Sequence, residues 1–277
     1  MSNKKFILNA DDFGMSNAFN KAVVDGYHLG LLKSSSICAN GEAFEAAVHE
    51  ILPECPNLSI SIHLNIIEGF SLTDNEKFSN SYLQMMYLAN DSAFLAKVEK
   101  EFRAQIEKVL SFKKANHLDS HVHVHAIPKI FELVCKLAKE YEINQVRTQF
   151  EKPYFVPDVL KHINLTYPPN VIKVLLLNAF TMQNKEVIKQ YGLQTNDYIL
   201  GVGYTGMMDD KTVYHGLSGL NDDNITVEAI IHPCNFMNPK LNNHPRQKEF
   251  LITQNMDLKD KIQRLGFDIV NYCNCKV

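Results

Sequence analysis

Short β-like runs alternate with segments of helical periodicity along nearly the whole 277-residue chain. Residues 5–9, 35–39, 58–64, 117–124, 143–147, 198–204, 225–232 and 267–271 read as strands, rich in β-branched and aliphatic residues. Between them, Ala43, Phe44, Ala47, Val48, Ile51 and Leu52 recur at helical spacing after a cap at Asn40, and Val98, Phe102, Ile106, Val109 and Leu110 do the same. Pro128 stands where a first helical residue is expected, followed by Ile130, Phe131, Val134, Leu137 and Ala138. Residues 246–265 read as one last helix, stopped by Gly266. Strand–helix alternation builds a parallel sheet with helices packed on it. Eight strands in this length fit an α/β fold of the (β/α) TIM-like barrel type, distorted or incomplete. No glycine-rich fingerprint follows the first strand, which argues against a dinucleotide-binding fold. Residues 69–94 and 148–197 are less regular and read as rim loops or inserted helices. With no repeat and no linker composition, residues 1–277 are expected to form a single barrel domain.

Composition narrows the partners. The chain is 45% hydrophobic and 21% charged, as ordinary globular proteins are. Its net charge of -3 offers no electrostatic footprint for nucleic acid or an anionic membrane. The N-terminal apolar run is too short for a signal-peptide core, and no run approaches a membrane span. A cytoplasmic protein is expected, and the six scattered cysteines are then reduced thiols. Cys273-Asn-Cys275 lacks a second cysteine pair, so it reads as a plain thiol pair and not a zinc site.

Chemistry gathers in His117-Leu-Asp119-Ser-His121-Val-His123-Val-His125, where four imidazoles and a carboxylate occupy alternate positions. In an extended strand all five share one face, and neutral imidazole is a common ligand for divalent ions. Other polar residues sit at the C-terminal ends of expected strands: Asp11 and Asp12 after the first, His63 near the end of the third, Arg147 at the fifth and His232 at the seventh. In a barrel, that end carries the active site. Blander readings remain for each: a capping turn for Asp11-Asp12, a surface strand histidine for His63, a strand stop for His232-Pro233, a buried ion-pair partner for Arg147. His28, His49, His162 and His215 fall in helical or loop contexts and are expected to be solvated.

Asn9-Ala-Asp11-Asp12-Phe-Gly14-Met-Ser16 resembles the opening motif of the YdjC-like carbohydrate deacetylases, which include chitooligosaccharide deacetylase. The resemblance continues through His63-Leu-Asn65, Glu68-Gly69, the histidine run to Pro128, Val146-Arg147, residues 201–207, His232-Pro233 and Arg246-Gln-Lys-Glu249. It departs at Cys234, where glycine or alanine is usual, and at Ile66-Ile67-Glu68, where leucine-threonine-glutamate is commoner. The resemblance implies a distorted barrel that removes N-acetyl groups from amino sugars, with a small N-acetylated sugar as its partner. By that similarity Asp12, His63 and His125 hold one divalent metal ion, Asp11 is the general base and His232 the general acid. Asp119 and His121 then orient the ligands, and Arg147, Asn40 and Glu68 stand on the substrate side.

These groups suit amide hydrolysis on physical grounds. An aspartate with a pKa of about 3.9 is far too weak a base for free water at about 15.7, unless an ion such as zinc lowers that value to about 7. A histidine near 6.5 can protonate the departing amine. Imidazole and carboxylate ligands suit Zn2+ or another transition ion, whereas the family resemblance points to Mg2+. The competing functions are a metallophosphatase or amidohydrolase-type hydrolase, and a sugar-binding barrel without turnover. The sugar's length, its phosphorylation and the oligomeric state stay open at this level.

Overall fold

A computed structural model describes residues 3–274 of the chain. Cys275, half of the expected thiol pair, lies outside the described residues. Among the described residues seven strands form one parallel sheet: β1 (Asn3–Phe13), β2 (Ser34–Ile37), β3 (Ser59–Leu64), β4 (His117–Ser120), β5 (Tyr198–Leu200), β6 (Asn224–Ile231) and β7 (Phe267–Ile269). Their order is β4-β3-β2-β1-β6-β5. The long β1 serves two neighbours on one edge, β7 against Lys4–Phe6 and β2 from Asn9 onward, while β6 runs along the other edge. Beyond β4 the sheet curls on through the isolated parallel bridges Leu118↔Val146 and Gln145↔Gln194 toward the segment that enters β5. This is the distorted α/β barrel that the alternation implied.

The expected strand at 143–147 survives only as those bridges. Arg147 N–H bonds Leu118 O on one side and Val146 N–H bonds Gln194 O on the other, too few bonds for a ladder. The strand expected over 117–124 stops at Ser120, because Val122 (φ 44°) and His123 (φ 61°) turn the chain through left-handed conformations. β5 ends at Leu200, where Gly201 takes φ 119° and passes so close to β6 that a Cβ there would lie 2.6 Å from Ile230 O.

The helix beginning at Pro128 runs to Glu140 with its apolar face buried. The turn over 43–52 starts at Phe44, and Asn40 does not cap it; Asn40 hydrogen-bonds Asn65 and the Phe70 carbonyl. The single last helix is two, Pro245–Ile252 and Met256–Arg264, because the Asn255 side chain accepts from Leu258 N–H and caps a new start. The irregular 148–197 stretch contains a 25-residue helix, Tyr167–Tyr191. Among the described residues no helix is long and apolar enough to cross a membrane.

Alternation along the strands divides the sheet into two chemistries. Phe6, Leu8 and Ala10 of β1 and Ile60, Ile62 and Leu64 of β3 join the apolar core with helix residues Phe102, Ile106, Phe131 and Val134. Each large side chain so buried contributes about 1.5–3 kcal/mol. The opposite positions are polar yet buried: Asn9 and Asp11 of β1, Ser59, Ser61 and His63 of β3, His117 and Asp119 of β4. Polar groups in such an interior are tolerable only when paired, and their pairing builds the site.

Candidate metal centre

Adjacent strand residues ordinarily face opposite ways, so Asp11 and Asp12 should diverge. A bulge prevents this. Between the pairs Ala10↔Ser35 and Phe13↔Ile37, β1 carries one more residue than β2, and Asp12 adopts φ 66°. Aspartate tolerates that left-handed conformation better than most residues, and a bulge re-aims side chains where a strand ends. Gly14 (φ 86°) completes the turn, packed so tightly that a Cβ on Gly41 would lie 2.2 Å from Gly14 O.

Asp12 Oδ1 lies 2.9 Å from His121 Nδ1 and 3.5 Å from His63 Nε2, and the donor atoms of the three residues lie within 4.8 Å of one another. Burial opposes ionisation of Asp12, but hydrogen bonds from His121 and His63 prevail and hold its carboxyl well below the usual range. His63 is oriented from behind: its Nδ1 is 2.6 Å from Asp119 Oδ1, and Asp119 Oδ2 accepts from Ser36 Oγ at 2.5 Å. Burial depresses the His63 pKa, yet Asp119 and Asp11 raise it to about 10. His121 Nε2 meets the Glu68 carboxylate at 3.1 Å, from a loop that Asn65 and Asn40 anchor.

Arg147, fully buried, closes the floor of this cluster. Its guanidinium grips both oxygens of Asp11 at 2.8 Å, meets Glu228 at 2.6–3.1 Å and reaches Asp119 at 2.8 Å. Of the two readings open from sequence, the ion pair is the one realised: Arg147 is no clamp exposed to substrate. Nothing in motif spacing revealed Glu228, though a glutamate between Val227 and Ala229 in an apolar strand signals a buried partner. Asn9 Nδ2 also donates to Asp11 Oδ1, at 2.7 Å.

His125 is placed elsewhere. Its Nδ1 is 2.5 Å from Ser120 Oγ, its Nε2 faces Gln149 Nε2 at 2.7 Å and Arg147 O at 3.1 Å, and burial lowers its pKa to about 4. The expectation that His125 joins Asp12 and His63 is corrected by this geometry. Once the strand breaks at Ser120, alternate positions no longer share a face, and His121 is the histidine that reaches Asp12. His117 stacks on Tyr272 with ring centroids 3.9 Å apart and bonds Ser61. His162, expected to be solvated, is buried with Nε2 2.9 Å from Asp209.

His232 follows β6, with Nδ1 3.4 Å from Glu249 Oε2 and its backbone N–H bonded to the same carboxylate. Arg246 Nη1 lies 3.4 Å from both Asp12 Oδ2 and His232 O. A cleft of about 630 Å³ opens over the cluster, bordered by Asp11, His121, His123, His232, Arg246 and Lys173 of the Tyr167–Tyr191 helix. That volume is in the range of small-ligand sites.

Residues 5–264 match the family model described as YdjC-like protein. A carbohydrate deacetylase of Clostridium beijerinckii is 28% identical over 97% of this chain and 98% of its own length. A carbohydrate deacetylase of Brevibacillus brevis is 38% identical over 50% of this chain and 57% of its own length. A crystal structure of an Enterococcus faecalis protein shares the fold, with a TM-score of 0.72 at 20% identity and full coverage of both chains. The bulged aspartate pair and the histidine run lie within a match that spans most of the sequence, and the chain belongs to the YdjC-like protein family.

Proposed function

We propose that this protein is a metal-dependent hydrolase that removes the N-acetyl group from an amino sugar or a short oligosaccharide of chitooligosaccharide type. The observation that carries the reading is the meeting of Asp12, His63 and His121 beside a cleft lined by Asp11 and His232. The names of the relatives from Clostridium beijerinckii and Brevibacillus brevis support the substrate class.

The three residues fit a divalent ion. A metal-bound histidine typically donates its second ring N–H to a carboxylate; Asp119 takes His63 Nδ1 and leaves Nε2 toward Asp12. Three protein ligands leave positions open, as a catalytic site requires, and two imidazoles with one carboxylate suit zinc or another transition ion better than magnesium. When bound, such an ion supplies a water whose pKa falls to about 7 and polarisation of the acetyl carbonyl.

The chain's own groups then divide the proton work. Asp11 lines the cleft, its carboxylate held in one orientation by Arg147 and Asn9, and accepts the proton of the attacking water. His232 protonates the departing amine, which is a poor leaving group until it gains that proton. Glu249 holds His232 Nδ1, so Nε2 is the nitrogen that delivers it. The test is acetate release from N-acetylated mono- and oligosaccharides, with and without phosphate, on protein stripped of metal and then reconstituted. Release that depends on the ion, and falls about 100-fold or more in Asp11→Asn with metal still bound, is the expected result. Release indifferent to metal, or phosphate-ester hydrolysis with no acetate released, would overturn the proposal.

A further inference from the structure

The turn after β4 contains two consecutive non-glycine residues in the left-handed region, Val122 (φ 44°, ψ 27°) and His123 (φ 61°, ψ 29°). For a β-branched residue this is a marked outlier, and such strain persists only where the surroundings over-determine it. The turn distributes three imidazoles to three places. His121 reaches Asp12 and His125 is locked to Ser120. His123 goes to neither.

His123 is 6% exposed, and its Nδ1 is buried without a hydrogen-bond partner. Its carbonyl accepts from Tyr82 Oη at 3.4 Å, which ties the backbone down, and the residue borders the same cleft as Asp11, His121, His232 and Lys173. Buried polar groups nearly always find partners, and an exception calls for an explanation. Among the described residues two groups have donor atoms close enough to share an ion, Asp12–His63–His121 and Asp11–His63–Asp119, and His123 belongs to neither.

We infer that His123 is a substrate-positioning residue whose imidazole hydrogen-bonds a ring hydroxyl of the amino sugar held over the Asp12–His63–His121 centre; this rests on the deacetylase reading above. A hydroxyl fits because it both donates and accepts, and so satisfies a ring nitrogen in either tautomer. A carboxylate or phosphate would satisfy only a donating nitrogen. His123 takes no proton from the reaction and holds no ion; it fixes where the sugar lies.

His123→Gly isolates the side chain, because glycine accepts φ 61° without strain. His123→Asn restores a polar atom close to the position of Nδ1 and also tolerates the left-handed backbone. Steady-state acetate release from chitobiose by the metal-loaded protein is expected to show KM raised at least tenfold in His123→Gly. Its kcat should stay within about threefold and its zinc affinity should be unchanged, and His123→Asn should recover part of the KM. A merely structural role would lower kcat or metal affinity with KM unmoved, and that result overturns the inference. Wild-type protein that releases no acetate would refute the deacetylase reading instead. Calorimetric titration of chitobiose into the zinc-loaded proteins then still decides the inference: weaker binding by His123→Gly than by wild type upholds it, and equal binding, or none by either, overturns it.

Discussion

Arg147→Met tests whether one buried cation holds the centre together. The substitution keeps much of the side-chain volume and removes the charge shared by Asp11, Asp119 and Glu228, all within 3.1 Å of the guanidinium. Removing one partner of a buried ion pair costs about 3–5 kcal/mol, a large part of a total stability of about 5–15 kcal/mol. At roughly 2–4 °C per kcal/mol, the loss corresponds to a Tm lowered by about 6–20 °C. The pH dependence follows from Asp119. In the native protein burial opposes its ionisation, but Arg147 and His63 hold its carboxyl below the usual range. Its stabilising contribution is therefore present above the unfolded value of about 4 and lost as pH falls below it. Without Arg147, burial is less opposed and the folded pKa of Asp119 and of Glu228 rises. The cost is then full at pH 8 and shrinks as acidification protonates them. Thermal melts of metal-free protein, followed by circular dichroism at pH 8 and pH 5, should show a wide gap between wild type and Arg147→Met that narrows at pH 5. Arg147→Lys should fall between, since an ammonium cannot grip three carboxylates in the guanidinium's fixed geometry. A gap below about 2 °C at pH 8, or one that widens on acidification, would refute the reasoning.

Three further outcomes follow from the same geometry. His121→Ala should weaken zinc binding by more than about 100-fold in a chelator competition, whereas His125→Asn should lower Tm with much less effect on affinity; the reverse order would return the ligand role to His125. In metal-free protein the charged His63–Asp119 pair stabilises the fold fully below the unfolded histidine value of about 6.5 and is lost as pH rises through about 10. Tm should therefore fall across that window in wild type and fall less in His63→Gln; identical slopes would contradict the pairing. Val122 is 45% exposed, so Val122→Asn should stabilise by about 1 kcal/mol by relieving its left-handed strain, read as a raised Tm, and a lowered Tm would count against that strain.

Much of this architecture is written locally. Seven of the eight expected strands stand, because apolar runs flanked by helical periodicity leave few alternatives. The errors come from features without a local signature. Nothing local marks the β-branched Val122 for left-handed backbone, so period-two spacing extends the histidine run past Ser120, and the choice of His125 over His121 rests on the family resemblance alone. The pairing of Arg147 depends on Asp11 and Glu228, 136 and 81 positions away, and no window of sequence holds all three. The split of the last helix was more accessible, since Asn255 precedes Met256 as a cap. The position of the site was readable: polar residues collect at the C-terminal strand ends, and a buried serine, histidine and aspartate alternation in β3 and β4 marks the face on which they meet.

The most direct test of the centre is anomalous diffraction at the zinc edge from a crystal of the zinc-loaded protein. One peak is expected, bound to Asp12 Oδ, His63 Nε2 and His121 Nδ1 at about 2.0–2.2 Å. A peak ligated by His125, or none at the Asp12–His63–His121 cluster, would contradict it.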